Sequence, residues 1–558
     1  MKKGRIYCVL LFCLIIKSET IFGMLNTYRP VTKVTANNVK LVDTILNVKS
    51  FGALGNGISD DTKAIDAALN AAGNKLKLFF PQGTYIINKA FSVKTGIIGA
   101  GEDKTTIRLT NYSTIDLDSW IFTIAADNVL LSKFTLDGNR LKNLGTPVKG
   151  IGGIRGNNIR HLTIKNVSIN NVRAIGLLLE NFPNSILSFI NVSNCGRFGQ
   201  DVEKGYQADR LGILLMNKLK PGNPYYCGKD VTVNNIKITG AGMDGLSSSV
   251  GTYYYKVVGN HCGAEMSRRD PGAAGIYFRS ESYVDEVTFD HCEGNYNTGI
   301  GIDIGNLPNL SKPVFKNVKI INCLASYNYL NGIGIAGCQY GLVKNCVAWN
   351  NGQLLNLFSG SVNHRRAGIA INGNEKVETS NITIEDNKCY DDQKVKTQTY
   401  GMFIGTQFIK GGGTAANYSI KDNDFRNNKF VDGIERSIGQ EGAEVVSKGF
   451  LSVQNNMGIT LSTDTATDGA EISPITPVIN LKAVKAVSIK GIKQGLPGDK
   501  VTLKNTSLYS ISLVGSNKFL LPGNNEMHLN SNQSVTFKCI DGFKWKLFAN
   551  TPEKKVNH

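Results

Sequence analysis

Proline is scarce in this 558-residue chain, with 14 against 60 glycines. That balance excludes a collagen-like or disordered polymer and fits many short strands joined by tight turns. Past the N-terminus, no apolar run approaches the roughly 20 residues that a membrane-spanning helix needs. Acidic residues are also short: 44 Asp and Glu face 62 Lys and Arg, for a net charge of +18. A chain of that sign attracts polyanions. No basic helix or aromatic–basic motif marks a nucleic-acid binder, so an acidic polysaccharide is the better match.

What is present begins with "MKKGRIYCVLLFCLIIKSETIFG" (residues 1–23). A basic start, an apolar run from Ile6 to Ile16 and then small and polar residues read as a secretory signal peptide. Cleavage near Gly23 would leave a secreted chain, extracellular or periplasmic, with a charge of about +15. Cys8 and Cys13 lie inside the apolar run. The nine remaining cysteines are an odd number, which excludes a complete disulfide framework.

The body of the chain repeats itself. A glycine followed by alternating apolar residues recurs as "GLLLEN" from Gly176, "GILLMN" from Gly212, "GLSSSV" from Gly245 and "GIYFRS" from Gly275. It continues as "GIGIDI" from Gly299, "GIGIAG" from Gly332, "GIAING" from Gly368 and "GMFIGT" from Gly401. A second unit is a β-branched strand ending in Asn and often Cys, such as "VKIINCLASYN" and "GLVKNCVAWNN". The period of roughly 24 to 36 residues is that of a solenoid, with three short strands per turn. Cys195, Cys262, Cys292, Cys323, Cys346 and Cys389 recur at one place in the unit. Stacked coils would line them up as small core residues beside a ladder of Asn side chains.

The stretch "VKSFGALGNGISDDTKAIDAALNAAGNKLKLFFPQGTY" (Val48 to Tyr85) opens this region. Ser59 or Asp60 reads as an N-cap, and Ala64, Ile65, Ala68, Leu69 and Ala72 follow at helical spacing up to Gly73. The segment resembles the opening of the pectate-lyase superfamily, in which such a helix covers the first coil of a right-handed parallel β-helix. The resemblance covers some forty residues. It implies the fold more than the reaction. Members of that superfamily include pectate lyases, polygalacturonases, other polysaccharide lyases, mannuronan epimerases and phage tailspike depolymerases. The polygalacturonase pattern of Asn-Thr-Asp, paired Asp and Gly-His-Gly is absent. The epimerase Asp-Pro-His is absent too, since Asp270-Pro271 has no His after it. No catalytic residue carries over.

The expected fold is therefore all-β: a right-handed parallel β-helix over 40–438 with an N-terminal cap helix, a linker over 439–476, and a small antiparallel β-domain over 477–550. In that last domain Trp545 and Phe543 serve either as packed aromatics or as sugar-stacking rings.

Chemistry is expected on the outer face of the glycine strands, where the third and fifth residues of each unit point outward. With Gly299 as the start of its unit, Asp303 takes the fifth position beside Arg279 on the next coil. Asp244 precedes Gly245 two coils away, Asp209 holds a similar turn, and Glu265, Arg268, Arg269 and Asp270 crowd the loop before Gly275. Gly301, Gly334 and Ala370 would open a trough along the axis.

Paired carboxylates suit glycoside hydrolysis, with Asp303 and Asp244, Asp209 or Glu265 as acid and base. Arg279, Tyr277, Glu180, Arg269 and Asn372 are the candidate substrate-binding residues. A polysaccharide lyase acting by β-elimination on a uronate is the alternative, with Tyr277, Arg279 or a loop Lys or Arg as base. A non-catalytic glycan-binding or adhesin solenoid is the third reading, and a cross-strand Asp303–Arg279 ion pair is the bland one. No cofactor is called for, except calcium if the reaction is a lyase's. The oligomeric state is open, a trimer included.

Overall fold

The computed structural model describes residues 45–143, 150–196, 210–228, 230–263, 272–279, 284–305, 315–353, 366–372, 379–405, 416–429, 434–437, 451–454, 456, 461–472, 474, 478–493, 500–524, 526–541 and 543–550. The signal segment, Asp209, Glu265, Arg268, Arg269 and Asp270 lie outside them. Among the described residues no helix is long and apolar enough to cross a membrane.

The solenoid is built from parallel strands. Twelve of them, one per coil from Phe91–Val93 to Ile434–Ser437, form one continuous sheet in strict sequence order. A second, 21-stranded sheet carries the other strands of each coil. Alternation decides which residues enter the core. In Leu177–Glu180, Leu177 and Leu179 are fully buried while Leu178 and Glu180 point outward. One apolar core runs from Val48 to Phe425.

Polar ladders and cysteines fill the corners between strands. Asn297, Asn328, Asn351, Gln398 and Asn428 are buried, and each donates its side-chain amide to the carbonyl of the next at 2.8–3.0 Å. Such chains are stable because every buried donor finds an acceptor on the coil above. A second set of Asn residues, including Asn171, Asn194, Asn322 and Asn345, takes the left-handed conformation at φ 51–55°. Asn tolerates that region better than most residues, which explains the repeated strand-ending Asn. The six aligned cysteines are free and buried, as are Cys227, Cys338 and Cys539. Burial holds the Cys195 and Cys262 thiols up at about 12, so they stay protonated core fillers.

The cap helix spans Thr62–Ala72 and buries Ile65, Ala68, Leu69 and Ala72, ending at Gly73. Its start differs from the expected one. The N-cap position belongs to Asp61, whose carboxylate turns back instead to accept from Leu54 N–H at 2.6 Å and Gly55 N–H at 3.2 Å. Asp60 Oδ1 accepts the Thr62 N–H at 2.9 Å and bonds the Thr62 hydroxyl. Two adjacent carboxylates thus divide the work, one fastening the preceding loop and one the first turn.

The C-terminal domain is mixed rather than antiparallel. Leu461–Thr465, Val478–Lys482 and Lys500–Asn505 pair in parallel, as do Ala470–Ile472, Val487–Ile492 and Ile511–Val514. Only Glu526–Leu529, Ser534–Cys539 and Trp545–Asn550 add antiparallel edges. From Leu461 to Val514 successive strands alternate between two sheets, so each of these strands meets its next-but-one neighbour running the same way. Strands also form at 451–454, 461–465 and 470–472, inside the span read as a linker. Trp545 is fully buried and its indole N–H donates to Lys493 O at 2.8 Å, whereas Phe543 is exposed.

Candidate functional site

The outer face of the twelve-stranded sheet carries one side chain per coil at the third position of each glycine unit, two residues past the glycine. Its register runs Arg155, Leu178, Leu214, Ser247, Tyr277, Asp303, Gly334, Ala370, Phe403. Asp303 therefore stands two positions earlier than the sequence placed it. The unit "GIGIDI" holds glycines at 299 and 301, and Gly301 takes the repeat position: it accepts from Ile276 N–H, while Ile302 N–H donates to Gly332 O, both at 3.0 Å. Asp303 is opposite Tyr277 and diagonal to Arg279, and Gly301 does not line the outer face.

Apolar clusters bound this column on both sides. Ile175, Leu211 and Leu214 are buried together, with Trp120, Leu178 and Met216 packed on them. Ala367, Ala370, Tyr400 and Phe403 form a second cluster, so the expected trough is filled at Ala370. Between the two lie Asp244, Ser247, Tyr277, Arg279 and Asp303.

Glycine gives this polar stretch its shape. A Cβ on Gly305 would come within 2.8 Å of the Tyr277 ring and 3.2 Å of its hydroxyl. The phenol therefore lies across the neighbouring coil, on bare backbone. A Cβ on Gly334 would meet Asp303 Oδ1 at 2.9 Å. Asp303 leans onto the next coil in the same way. The Arg279 guanidinium sits 5.5 Å from the Tyr277 ring centre, a cation–π distance. Burial, then the charges of Asp303 and Asp244, push the Tyr277 phenol well above its ordinary value, so it keeps its proton.

Asp244 is set behind this group. It is fully buried; Oδ1 accepts the Ala274 N–H at 2.7 Å, while Oδ2 has no hydrogen-bond partner among the described residues. Burial pushes its carboxyl up to about 7, against the opposing pull of the Ala274 N–H and the Arg279 charge. The Ser247 hydroxyl is buried and likewise without a partner among the described residues. Asp244 and Asp303 are two coils and three residues apart, about 14 Å between backbones from strand spacing and rise.

Of the other expected residues, Glu180 lies three coils before Arg279, paired with Lys218 Nζ at 3.3 Å, and does not join the cluster. Asn372 ends the strand Ala367–Asn372 opposite Ala336 and Gly405, and its side chain lies outside the described residues. Asp209, Glu265 and Arg269 are outside them altogether. Sequence reasoning missed Ser247 and Gly305. The signal for Gly305 was present, since "GIDIG" places a second glycine two residues past Asp303. No group of three His, Cys, Asp or Glu gathers as metal ligands among the described residues.

Comparison with known proteins places this architecture. Residues 45–264 match the family model "Rhamnogalacturonase A/epimerase, pectate lyase-like", and residues 266–457 match "Right handed beta helix region". The preneck appendage protein of Bacillus phage PZA is 28% identical over 214 residues, covering 37% of this chain and 22% of that protein. The plasmin and fibronectin-binding protein A of Streptococcus pneumoniae (strain ATCC BAA-255 / R6) is 27% identical over 246 residues, covering 38% and 34%. The mannuronan C5-epimerase AlgE1 of Azotobacter vinelandii is 36% identical over 118 residues, covering 19% and 8%. The matches thus span 8–34% of these relatives' own lengths. The solenoid is a pectate-lyase-like, right-handed parallel β-helix.

Proposed function

We propose that this chain acts on an acidic polysaccharide laid along the outer face of the twelve-stranded sheet, and that it cleaves the chain by β-elimination at a uronate. The observation that carries this reading is the Tyr277–Asp303 pair, side by side across adjacent coils on a glycine floor, with Arg279 against the tyrosine. Arg279 neutralises the uronate carboxylate and so acidifies the hydrogen at C5. Asp303 takes that proton, the C4–C5 double bond forms, and the C4–O bond breaks. Tyr277 gives its proton to the leaving oxygen. A proton passed from Asp303 back to Tyr277 restores both groups.

Hydrolysis by paired carboxylates fits less well. Inversion needs carboxyl groups about 6.5–9.5 Å apart and retention about 5–5.5 Å. The backbones of Asp303 and Asp244 are about 14 Å apart by strand geometry, and Asp303 leans away from Asp244 onto Gly334. A binding role without turnover is the second reading, favoured by the similarity to a plasmin and fibronectin-binding protein.

The test is incubation with a panel of acidic polysaccharides, followed by mass spectrometry and ultraviolet absorbance of the products. Elimination yields a conjugated, absorbing uronate at the new end with no gain of water. Fragments heavier by one water would replace this reading with hydrolysis. Retention of the glycan with no fragments would replace it with binding.

A further inference from the structure

The arrangement of Tyr277 and Asp303 bears on which uronate can react. Both side chains rise from one sheet surface. They are opposite one another in the strand ladder, and each lies on the glycine of a following coil, Gly305 for the phenol and Gly334 for Asp303 Oδ1. Arg279, two residues beyond Tyr277 on the same segment, occupies that surface too. A base and an acid that share one surface reach one face of a sugar ring.

We infer that the site selects uronates whose C5 hydrogen and C4 oxygen project from the same face of the ring, the arrangement of D-mannuronate and D-glucuronate. In D-galacturonate, L-guluronate and L-iduronate these two groups lie on opposite faces. A base beneath the ring of such a sugar reaches the hydrogen but leaves the departing oxygen beyond its neighbouring acid. In the favoured sugars Asp303 removes the C5 proton and Tyr277 protonates the C4 oxygen from the same side, without the ring turning over. The bond changes are those of the elimination above, so the step is balanced with no added reagent. The rigid placement of both groups on strands, one coil apart, makes the preference geometric.

This inference rests on the elimination reading and deepens it. The full-length protein is incubated separately with polymannuronate, polyglucuronate, polygalacturonate and polyguluronate, and the rise in ultraviolet absorbance of the unsaturated product is followed. The expected result is a rate on polymannuronate or polyglucuronate at least about 10-fold above that on the other two, within the roughly 10²-fold that a misplaced reacting group can cost. Equal rates on all four, or faster reaction of polygalacturonate or polyguluronate, would overturn the stereochemical selection and leave elimination standing. No unsaturated product from any polymer would overturn both.

Discussion

The two outer faces of the solenoid treat their polar side chains differently. On the 21-stranded sheet, Asp290 accepts from the Tyr253 hydroxyl, from Asn322 Nδ2 at 2.9 Å, and contacts His291 Nδ1 at 2.7 Å. Glu385 is held between Lys344 and Lys421, each at 2.8 Å, and these partners keep its carboxyl below the ordinary range. Both of these carboxylates are answered by the protein itself. On the twelve-stranded sheet, Asp244 Oδ2 and Ser247 Oγ are buried without a partner among the described residues, and Tyr277 and Asp303 lie on glycine backbone. Buried polar groups left unanswered cost stability, and folded proteins keep few of them. The first face reads as structure, and the second is the face on which the proposed elimination is placed.

The sharpest test of that contrast in stability compares Asp244 with Asp61, both fully buried. A carboxyl raised from its ordinary value to about 7 binds more protons folded than unfolded. Its penalty is absent below about pH 4 and grows as pH rises to 7, reaching at most about 4 kcal/mol at 1.4 kcal/mol per unit. Asp244→Asn should therefore gain stability relative to the native protein between pH 4.5 and 8, as read from denaturant midpoints. A difference that does not change with pH would mean that Asp244 is solvated after all.

Asp61 has its backbone donors in place, so its removal should cost stability. Asp61→Ala leaves the Leu54 and Gly55 N–H groups unanswered and should cost about 3 kcal/mol. Asp60→Ala removes only a first-turn contact and should cost about 1 kcal/mol. Thermal unfolding of the two variants gives the order directly, and a larger loss at Asp60 would reverse the division of roles between these neighbours. Smallest of all should be Glu385→Gln on the first face, at most about 1 kcal/mol, because its partners are near solvent. Its effect should shrink in high salt, which a titration of the unfolding midpoint with sodium chloride would check.

Much of this molecule can be read from its sequence, and the failures have physical causes. The glycine units, the aligned cysteines and the strand-ending Asn residues report the coil period because each fills a position that only a small or left-handed-tolerant residue suits. The placing of Asp303 failed by two residues because Gly299 and Gly301 satisfy the same alternation, and only the inter-strand hydrogen bonds choose between them. Ser59 or Asp60 reads as the cap, but Asp61, chemically identical to Asp60, takes that position, and its tertiary contact to residues 54–55 is invisible in the sequence. Strand direction in the C-terminal domain is not encoded in alternation at all. The cluster itself was half visible: Asp303, Tyr277, Arg279 and Asp244 were named, but which of them meet depends on a register that the sequence left two residues out.

The most direct measurement sets one residue from each face side by side. Asp303→Asn and Asp290→Asn each remove one carboxylate charge with little change of shape, and turnover on a uronan and the unfolding midpoint are read for both. Asp303→Asn should lower turnover by about 10²-fold or more while the protein stays folded. Asp290→Asn should lower the midpoint, by about 1–2 kcal/mol in stability, and leave turnover near normal. Near-normal turnover in Asp303→Asn, on a substrate that the native protein cleaves, would contradict the assignment of the active face.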